Sequence, residues 1–174
     1  MKSETKKEII SWIKTLVLAV AVAWFVNHVL IVNAQVPTGS METTIMPGDR
    51  IIALRTSYWF DEPEFGDVVI FPFPDDPTGD TLYVKRVIGV GGDVVEGKDG
   101  KVYVNDVALE EPYIGECIIG NFGPYSVPEG TYFMMGDNRN SSLDARYWEN
   151  KFVSEDEVLG KVVCKYYKGF GMIE

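Results

Sequence analysis

The amino-terminal part of the chain carries one long apolar run. From residue 9 to residue 32 only five positions are polar: Ser11, Lys14, Thr15, Asn27 and His28. As a helix this run would extend about 36 Å, which is enough to cross a hydrocarbon core of about 30 Å. The pattern therefore predicts a transmembrane helix over residues 9–32, preceded by a short tail of residues 1–8.

The charges around the run predict its orientation. Four lysines lie at its amino-terminal side: Lys2, Lys6, Lys7 and Lys14. Because positive residues favour the cytoplasmic side of a membrane, the tail is expected in the cytoplasm and residues 35–174, called the body below, outside it. A cleavable secretory signal has the same basic start and apolar core, and Val32 and Ala34 resemble the small residues before a cleavage site. Both interpretations export the body.

Within the body, short β-type runs alternate with turn residues. Seven runs are predicted as strands: 50–54, 68–71, 81–90, 93–96, 101–104, 132–135 and 160–166. Ser154 and Glu157 have capping-box spacing, which predicts one short helix. Residues 110–130 are predicted as an irregular excursion. The fold class is therefore mainly β, a single transmembrane helix followed by a compact β-barrel or β-sheet domain.

Composition narrows the possible functions. The 174 residues are 46% hydrophobic and 24% charged, which fits one domain with an appendage. The formal net charge of -10 argues against nucleic acid as a partner, since phosphate recognition needs a basic surface. Residues 1–34 carry a balance of +2 and the body a balance of -12. An acidic body therefore follows a basic, apolar head.

Scarce residue types limit the chemistry further. The chain has one histidine, His28, and two cysteines, Cys117 and Cys164. A zinc site needs about four converging ligands, more than these residues offer. A metal site of carboxylates alone is left open, although no Asp-rich loop has calcium spacing. No cofactor is expected. A nucleophile in the body must use a base other than histidine. The cysteines fit one disulfide or two free thiols equally well.

Three segments of the body carry candidate chemistry. In a strand, Lys85 and Arg86 point to opposite, mostly apolar faces, so both are expected to be partly buried. A buried lysine loses its charge readily, and a neutral amine can accept a proton. Ser40 follows Gly39 in a short loop, and residues 136–146 are densely polar. Each segment alone also fits an ordinary sheet edge or solvated loop.

Taken together and in this order, the segments resemble the bacterial type I signal peptidases, the membrane-anchored Ser-Lys endopeptidases that remove signal peptides from exported proteins. The nucleophile box of that family resembles Pro-Thr-Gly-Ser-Met at 37–41 followed by Met-Pro-Gly-Asp at 46–49. Its next strand resembles residues 66–71, its lysine box residues 83–89, and its last box residues 136–146. The match runs from the anchor to about Tyr167.

The resemblance implies a mechanism. Ser40 is the nucleophile and Lys85 the general base, whose pKa must fall from about 10.4 to about 7–8. The Ser40 backbone N–H and the Thr38 hydroxyl are expected to form the oxyanion hole. Many relatives have serine at the position of Thr38, so this chain keeps the hydroxyl and adds a methyl group.

The resemblance also implies supporting residues. Ser142 matches the hydroxyl residue that orients the lysine. The charged groups that brace the site match Arg86, Asp137, Asp144 and Arg146. The pairs expected are Arg86 with Asp137 and Asp144 with Arg146. Ala145 stands where the family commonly has serine, which removes a support contact.

Substrate and location follow from the same resemblance. The family cuts after small residues, and five residues are candidates for lining the shallow pockets: Val36, Pro37, Met41, Tyr83 and Val84. The expected partners are signal-peptide-bearing preproteins and the lipid bilayer, with the protein in the bacterial cytoplasmic membrane. The family favours a retained anchor, although Ala34 leaves self-cleavage open. The alternatives are a membrane-tethered β-domain with a binding or structural role and a self-cleaving regulator.

Overall fold

The amino-terminal helix is long, apolar and continuous with the body. The computed structural model describes residues 2–167 and 169–173. Helix α1 (Lys2–Phe25) continues into a π-helical turn (Val26–Leu30). Residues Thr5–Leu30 form one helix long and apolar enough to cross a membrane, with a mean hydropathy of 2.2. Because Ile31 already begins the first strand, the helical part ends two residues before the predicted limit of 32.

The residues that follow the helix, the body together with residues 31–34, form two antiparallel sheets. The twelve described strands are β1 Ile31–Gln35, β2 Arg50–Leu54, β3 Val68–Pro72, β4 Leu82–Gly89, β5 Val94–Lys98, β6 Lys101–Val104, β7 Val107–Ala108, β8 Phe122–Ser126, β9 Thr131–Met135, β10 Phe152–Ser154, β11 Gly160–Tyr166 and β12 Gly171–Met172. The larger sheet has the order β1-β2-β11-β3-β4-β9-β10, with β12 paired to β11. The smaller sheet has the order β7-β6-β5-β8.

The mainly β fold is confirmed, and all seven predicted strands are present with ends within two residues of the prediction. The short helix is a 3-10 helix, Glu155–Glu157, with both bonds of the capping box formed by Ser154 and Glu157. The excursion at 110–130 is only partly irregular, because it contains β8. Its Gly123 and Pro124 disfavoured a strand in the sequence, but β8 lies at a sheet edge, where proline is tolerated.

Two buried apolar clusters hold the sheets. The first lies between the sheets and includes Phe71, Phe133 and Trp148. The second contains residues of β1, β2 and β3 together with Met41 and Ile45. Both of these last residues are 0% exposed. The loop that carries Ser40 is therefore fixed by core packing directly after the nucleophile candidate.

The two cysteines are free thiols, which settles the question that their spacing left open. Cys117 is exposed and Cys164 is buried in β11. In the part of the chain that the structure describes, no three metal-ligating side chains of His, Cys, Asp or Glu come together.

Candidate active site

The loop that carries Ser40, residues 36–49, is closed at its base by backbone hydrogen bonds. Val36 N–H donates to Asp49 O at 2.9 Å, and Gly48 N–H donates to Val36 O at 2.7 Å. The Asp49 carboxylate accepts a further bond from Met46 N–H at 2.9 Å. Because the base is hydrogen-bonded and Met41 is packed in the core, Ser40 has a defined position at the edge of the larger sheet.

Lys85 reaches this loop from β4. Its side chain is 3% exposed, and its Nζ lies 2.6 Å from Ser40 Oγ and donates a hydrogen bond to it. Arg86, the next residue, points to the other face and is equally buried. The expectation that both side chains are buried is confirmed, which excludes an ordinary solvated Lys-Arg pair.

Burial changes the acid–base properties of Lys85. Loss of hydration disfavours the ammonium form and, as the largest influence, lowers the pKa of Lys85 to about 8. The carboxylates of Asp144 and Asp137 oppose this shift in pKa, and the guanidinium of Arg146 adds to it. A fraction of the amine is therefore neutral near physiological pH, in contact with a hydroxyl group from which it can take a proton.

Thr38 stands beside the Ser40 side chain. Its Oγ1 lies 3.5 Å from Ser40 Oγ, and the residue is exposed on the open side of the loop. The hydroxyl is therefore close to any group that reacts with Ser40 Oγ, as the expected oxyanion role requires.

The two predicted ion pairs are confirmed. Arg86 donates to Asp137 through Nε at 2.9 Å and Nη2 at 2.8 Å. Arg146 donates to Asp144 through Nε at 2.7 Å and Nη2 at 2.8 Å. All four side chains are buried, so each pair is a bidentate bond in a medium of low dielectric constant. These pairs fix residues 136–146 behind the Ser40 loop.

Ser142 lies in the site but makes no hydrogen bond through Oγ with any described residue, although the atom is buried. It packs against Gly136 and the Ser40 backbone. A Cβ atom added to Gly136 would lie 2.3 Å from both Ser142 Oγ and Ser40 O. The role of Ser142 in orienting Lys85 stays a prediction. Ala145 is buried in the first apolar cluster.

Some positioning contacts were not predicted. Asn138 N–H donates to Ser40 O at 3.1 Å, and its side chain donates to Gly39 O at 2.9 Å. Thr44 Oγ1 donates to Asp137 Oδ2 at 2.5 Å. Asn138 lies in the last box and Thr44 lies between the two parts of the nucleophile box, yet no sequence signal identifies which distant atoms they contact.

A cleft of about 450 Å³ opens in front of Ser40 and Lys85. Four of the five predicted pocket residues line it: Val36, Pro37, Tyr83 and Val84. Met41 is a correction, because it is wholly buried in the second apolar cluster and does not line the cleft. Leu82 and Leu143, which were not predicted, add exposed apolar surface to the walls.

One backbone edge of β4 faces this cleft. Residues 82–86 pair with β3 on one side, whereas β9 pairs with β4 only from Arg86 onward. In the described residues no strand covers the second edge of residues 82–85. That edge can therefore pair with an added extended peptide, as exposed strand edges do in many peptide complexes.

Comparison with known proteins identifies the family. A model described as "Signal peptidase, peptidase S26" matches residues 9–167. "Signal peptidase I" of Bacillus licheniformis is 37% identical over 83% of this chain and 82% of its own length. "Signal peptidase I T" of Bacillus subtilis is 35% identical over 87% of this chain and 81% of its own length.

A solved structure is also similar. The signal peptidase I from Enterococcus faecalis V583 is 33% identical and covers 58% of this chain and 97% of its own, with a TM-score of 0.49. The family model alone spans residues 9–167, most of the chain. The chain therefore belongs to the signal peptidases, the serine peptidases of family S26.

Proposed function

We propose that this protein is a membrane-anchored endopeptidase that removes amino-terminal signal peptides from exported preproteins with a Ser40–Lys85 dyad. The observation that carries the proposal is the 2.6 Å contact between Lys85 Nζ and Ser40 Oγ, made by a lysine that is 3% exposed. A hydroxyl becomes an effective nucleophile when an adjacent base takes its proton. The sole histidine, His28, lies at the end of the apolar helix, so the lysine fills that role.

Each step of the reaction has an assigned group. Neutral Lys85 takes the proton of Ser40 Oγ as this oxygen attacks the scissile carbonyl carbon, and a tetrahedral oxyanion forms. The ammonium of Lys85 then protonates the leaving amine of the mature protein, which leaves the signal peptide as an ester on Ser40. Water, deprotonated by Lys85, attacks the ester. The Lys85 ammonium then protonates Ser40 Oγ as this oxygen leaves, and the signal peptide is released with a free carboxyl group.

The oxyanion is stabilised by the Ser40 backbone N–H and the Thr38 hydroxyl. Thr38→Val keeps the shape of the side chain and removes the donor, so kcat is expected to fall by about 100-fold to 1,000-fold. Thr38→Ser keeps the donor and serves as the matched control, with kcat close to that of the wild type. The measurement is steady-state cleavage of a preprotein; equal kcat values for the two variants would remove Thr38 from the oxyanion hole.

The substrate binds as an extended strand along the open edge of residues 82–85. Alternate side chains of such a strand point to the same side, so the first and third residues before the cut enter the cleft together. Val36, Tyr83 and Leu143 line the cleft, and we propose that they limit its depth and exclude large side chains. This arrangement supports specificity for small residues at those two positions.

The anchor holds the site at the membrane. Residues 1–8 form the cytoplasmic tail, the apolar helix crosses the bacterial cytoplasmic membrane, and residues 35–174 form the catalytic domain on the outer face. The bond after Ala34 resembles a cleavage site, but Ala34 and Gln35 pair with Ile51 and Arg50 in the sheet. A paired strand must leave its sheet before a protease can act on it, which supports a retained anchor.

The pH dependence of cleavage tests the dyad. Only neutral Lys85 can accept the Ser40 proton, and burial sets the pKa of Lys85 at about 8. The value of kcat/KM is therefore expected to rise about tenfold per pH unit below pH 8 and to level off above it. The measurement is preprotein cleavage by the detergent-solubilised full chain between pH 5 and 10, with Ser40→Ala as the inactive control. A profile that is flat from pH 6 to 9 would contradict the proposal.

A further inference from the structure

A segment that joins two strands of the smaller sheet contacts basic residues next to the active site. This cover segment, residues 109–121, leads from β7 to β8 and was expected to be irregular. Glu111 accepts two bonds from Arg139, at 2.7 Å from Nη1 and 2.5 Å from Nη2. The side chains are 4% and 0% exposed, so this third buried ion pair joins the cover segment to residues 136–146.

Arg139 connects Glu111 to the Gly136 backbone, which lies next to the dyad. Its Nε donates to Gly136 O at 3.1 Å. The space beside the Gly136 Cα atom is filled: an added Cβ would lie 2.3 Å from Ser40 O and from Ser142 Oγ. The bond from Arg139 therefore sets how closely the Gly136 backbone approaches the Ser40 loop.

Tyr113 makes a parallel contact from the same segment. Its hydroxyl donates to Glu111 Oε1 at 2.9 Å, and the Arg86 guanidinium lies 3.9 Å from the centre of its ring. Arg86 is the partner of Asp137, one residue from Gly136. The cover segment thus orders both basic groups behind the site and keeps water away from them.

The free-energy cost of burying two charges indicates whether the Glu111–Arg139 pair contributes to stability or to geometry. Removing two charges from water offsets most of their mutual attraction, so a buried ion pair adds little net stability. It does restrict geometry, because a bidentate guanidinium–carboxylate contact has few acceptable orientations. The Glu111–Arg139 pair therefore contributes chiefly to placing the Gly136 backbone.

We infer that Glu111 is a positioning residue for the Ser40–Lys85 dyad, acting through Arg139 and the Gly136 backbone. This inference rests on the proposed function. Loosening the Gly136 turn separates Ser40 from Lys85 and admits water beside the amine. The charged groups that face Lys85 are Asp144, Asp137 and Arg146, and none of them is changed when Glu111 is replaced.

The test is Glu111→Gln, which removes the charge and keeps the shape, compared with Glu110→Gln, which makes the same change at an exposed neighbour. We expect kcat of Glu111→Gln to fall at least about tenfold with KM unchanged, since a misplacement of 1 Å can cost about 100-fold. The acidic limb of its pH profile is expected to move to higher pH, because hydration raises the pKa of Lys85. Glu110→Gln is expected to match the wild type in both measurements.

The outcomes separate positioning from stability. Thermal unfolding followed by circular dichroism gives the folded fraction, and kcat is expressed per folded molecule. An unchanged kcat and an unchanged acidic limb in folded Glu111→Gln would overturn the inference. If that variant does not fold, the test uses Glu111→Asp, which keeps the charge and shortens the side chain. This variant must show a smaller fall in kcat and a smaller move of the acidic limb to higher pH. Absence of both effects would equally overturn the inference. Cleavage by Ser40→Ala at the wild-type rate would instead overturn the proposed function.

Discussion

Lys85→Met is expected to abolish preprotein cleavage at every pH between 5 and 10. The substitution removes the only described amine in contact with Ser40 Oγ and keeps a linear apolar side chain of similar size in a site that is 3% exposed. Removing the base of a serine protease costs about 10⁶-fold in kcat, because the hydroxyl then has to react without losing its proton. No rise of activity with pH should remain in the variant.

The fold of Lys85→Met should persist, which makes the loss interpretable. Burial destabilises the charged form of Lys85 and lowers its pKa, whereas an apolar methionine side chain has no charge to desolvate. The melting temperature of the variant is therefore expected to equal or exceed that of the wild type. Lys101→Met, at an exposed position of β6, is the matched control and should cleave normally. Residual cleavage by folded Lys85→Met above about 1% of the wild-type rate would contradict a lysine base, whose loss costs far more.

Gly136→Ala is expected to reduce kcat by about 100-fold or more while the protein stays folded. The new methyl group would lie 2.3 Å from Ser40 O and Ser142 Oγ and 2.6 Å from Ser142 Cβ. Normal contact between carbon and oxygen is about 3.5 Å, so the Ser40 backbone or Ser142 must move by roughly 1 Å. Such a displacement at the reacting atoms can cost about 100-fold.

Gly115→Ala is the control for this substitution. It adds the same methyl group at a position with no atom within 4 Å of the new Cβ, so activity should be unchanged. The measurement is kcat for a preprotein, with circular dichroism to verify folding of both variants. A wild-type kcat in folded Gly136→Ala would mean that the Ser40 loop tolerates displacement, contrary to the close packing that surrounds it.

Seven of the twelve described strands were predicted, because their signals are local, whereas β1 and the strands β7, β8, β10 and β12 were not. Runs such as 50–54 and 160–166 are apolar, β-branched and bounded by turn residues, and both have the predicted ends. The first strand was missed for the opposite reason. Residues 31 and 32 continue the apolar run of the helix without interruption, so hydropathy alone does not mark the change from helix to strand.

In the candidate site, the predicted residues were those with a recognisable local pattern. Ser40 and Lys85 lie 45 positions apart, and resemblance to a family, not spacing, related them. The Glu111–Arg139 pair joins residues 28 positions apart, and although Arg139 lies in the last box, Glu111 lies in a segment without such a pattern, so one sequence does not reveal the pair. Met41 was predicted to line the pocket by its match to the family's nucleophile box, but the loop directs its side chain into the core.

The junction between Leu30 and Ile31 has a mechanical consequence. The helix passes into β1 without a flexible linker, and β1 is paired along its five residues with β2. This strand spans about 16 Å, which fixes the distance from the end of the helix to the loop that carries Ser40. In the membrane-anchored arrangement that we propose, this rigid junction holds the Ser40 loop at a set height above the lipid surface.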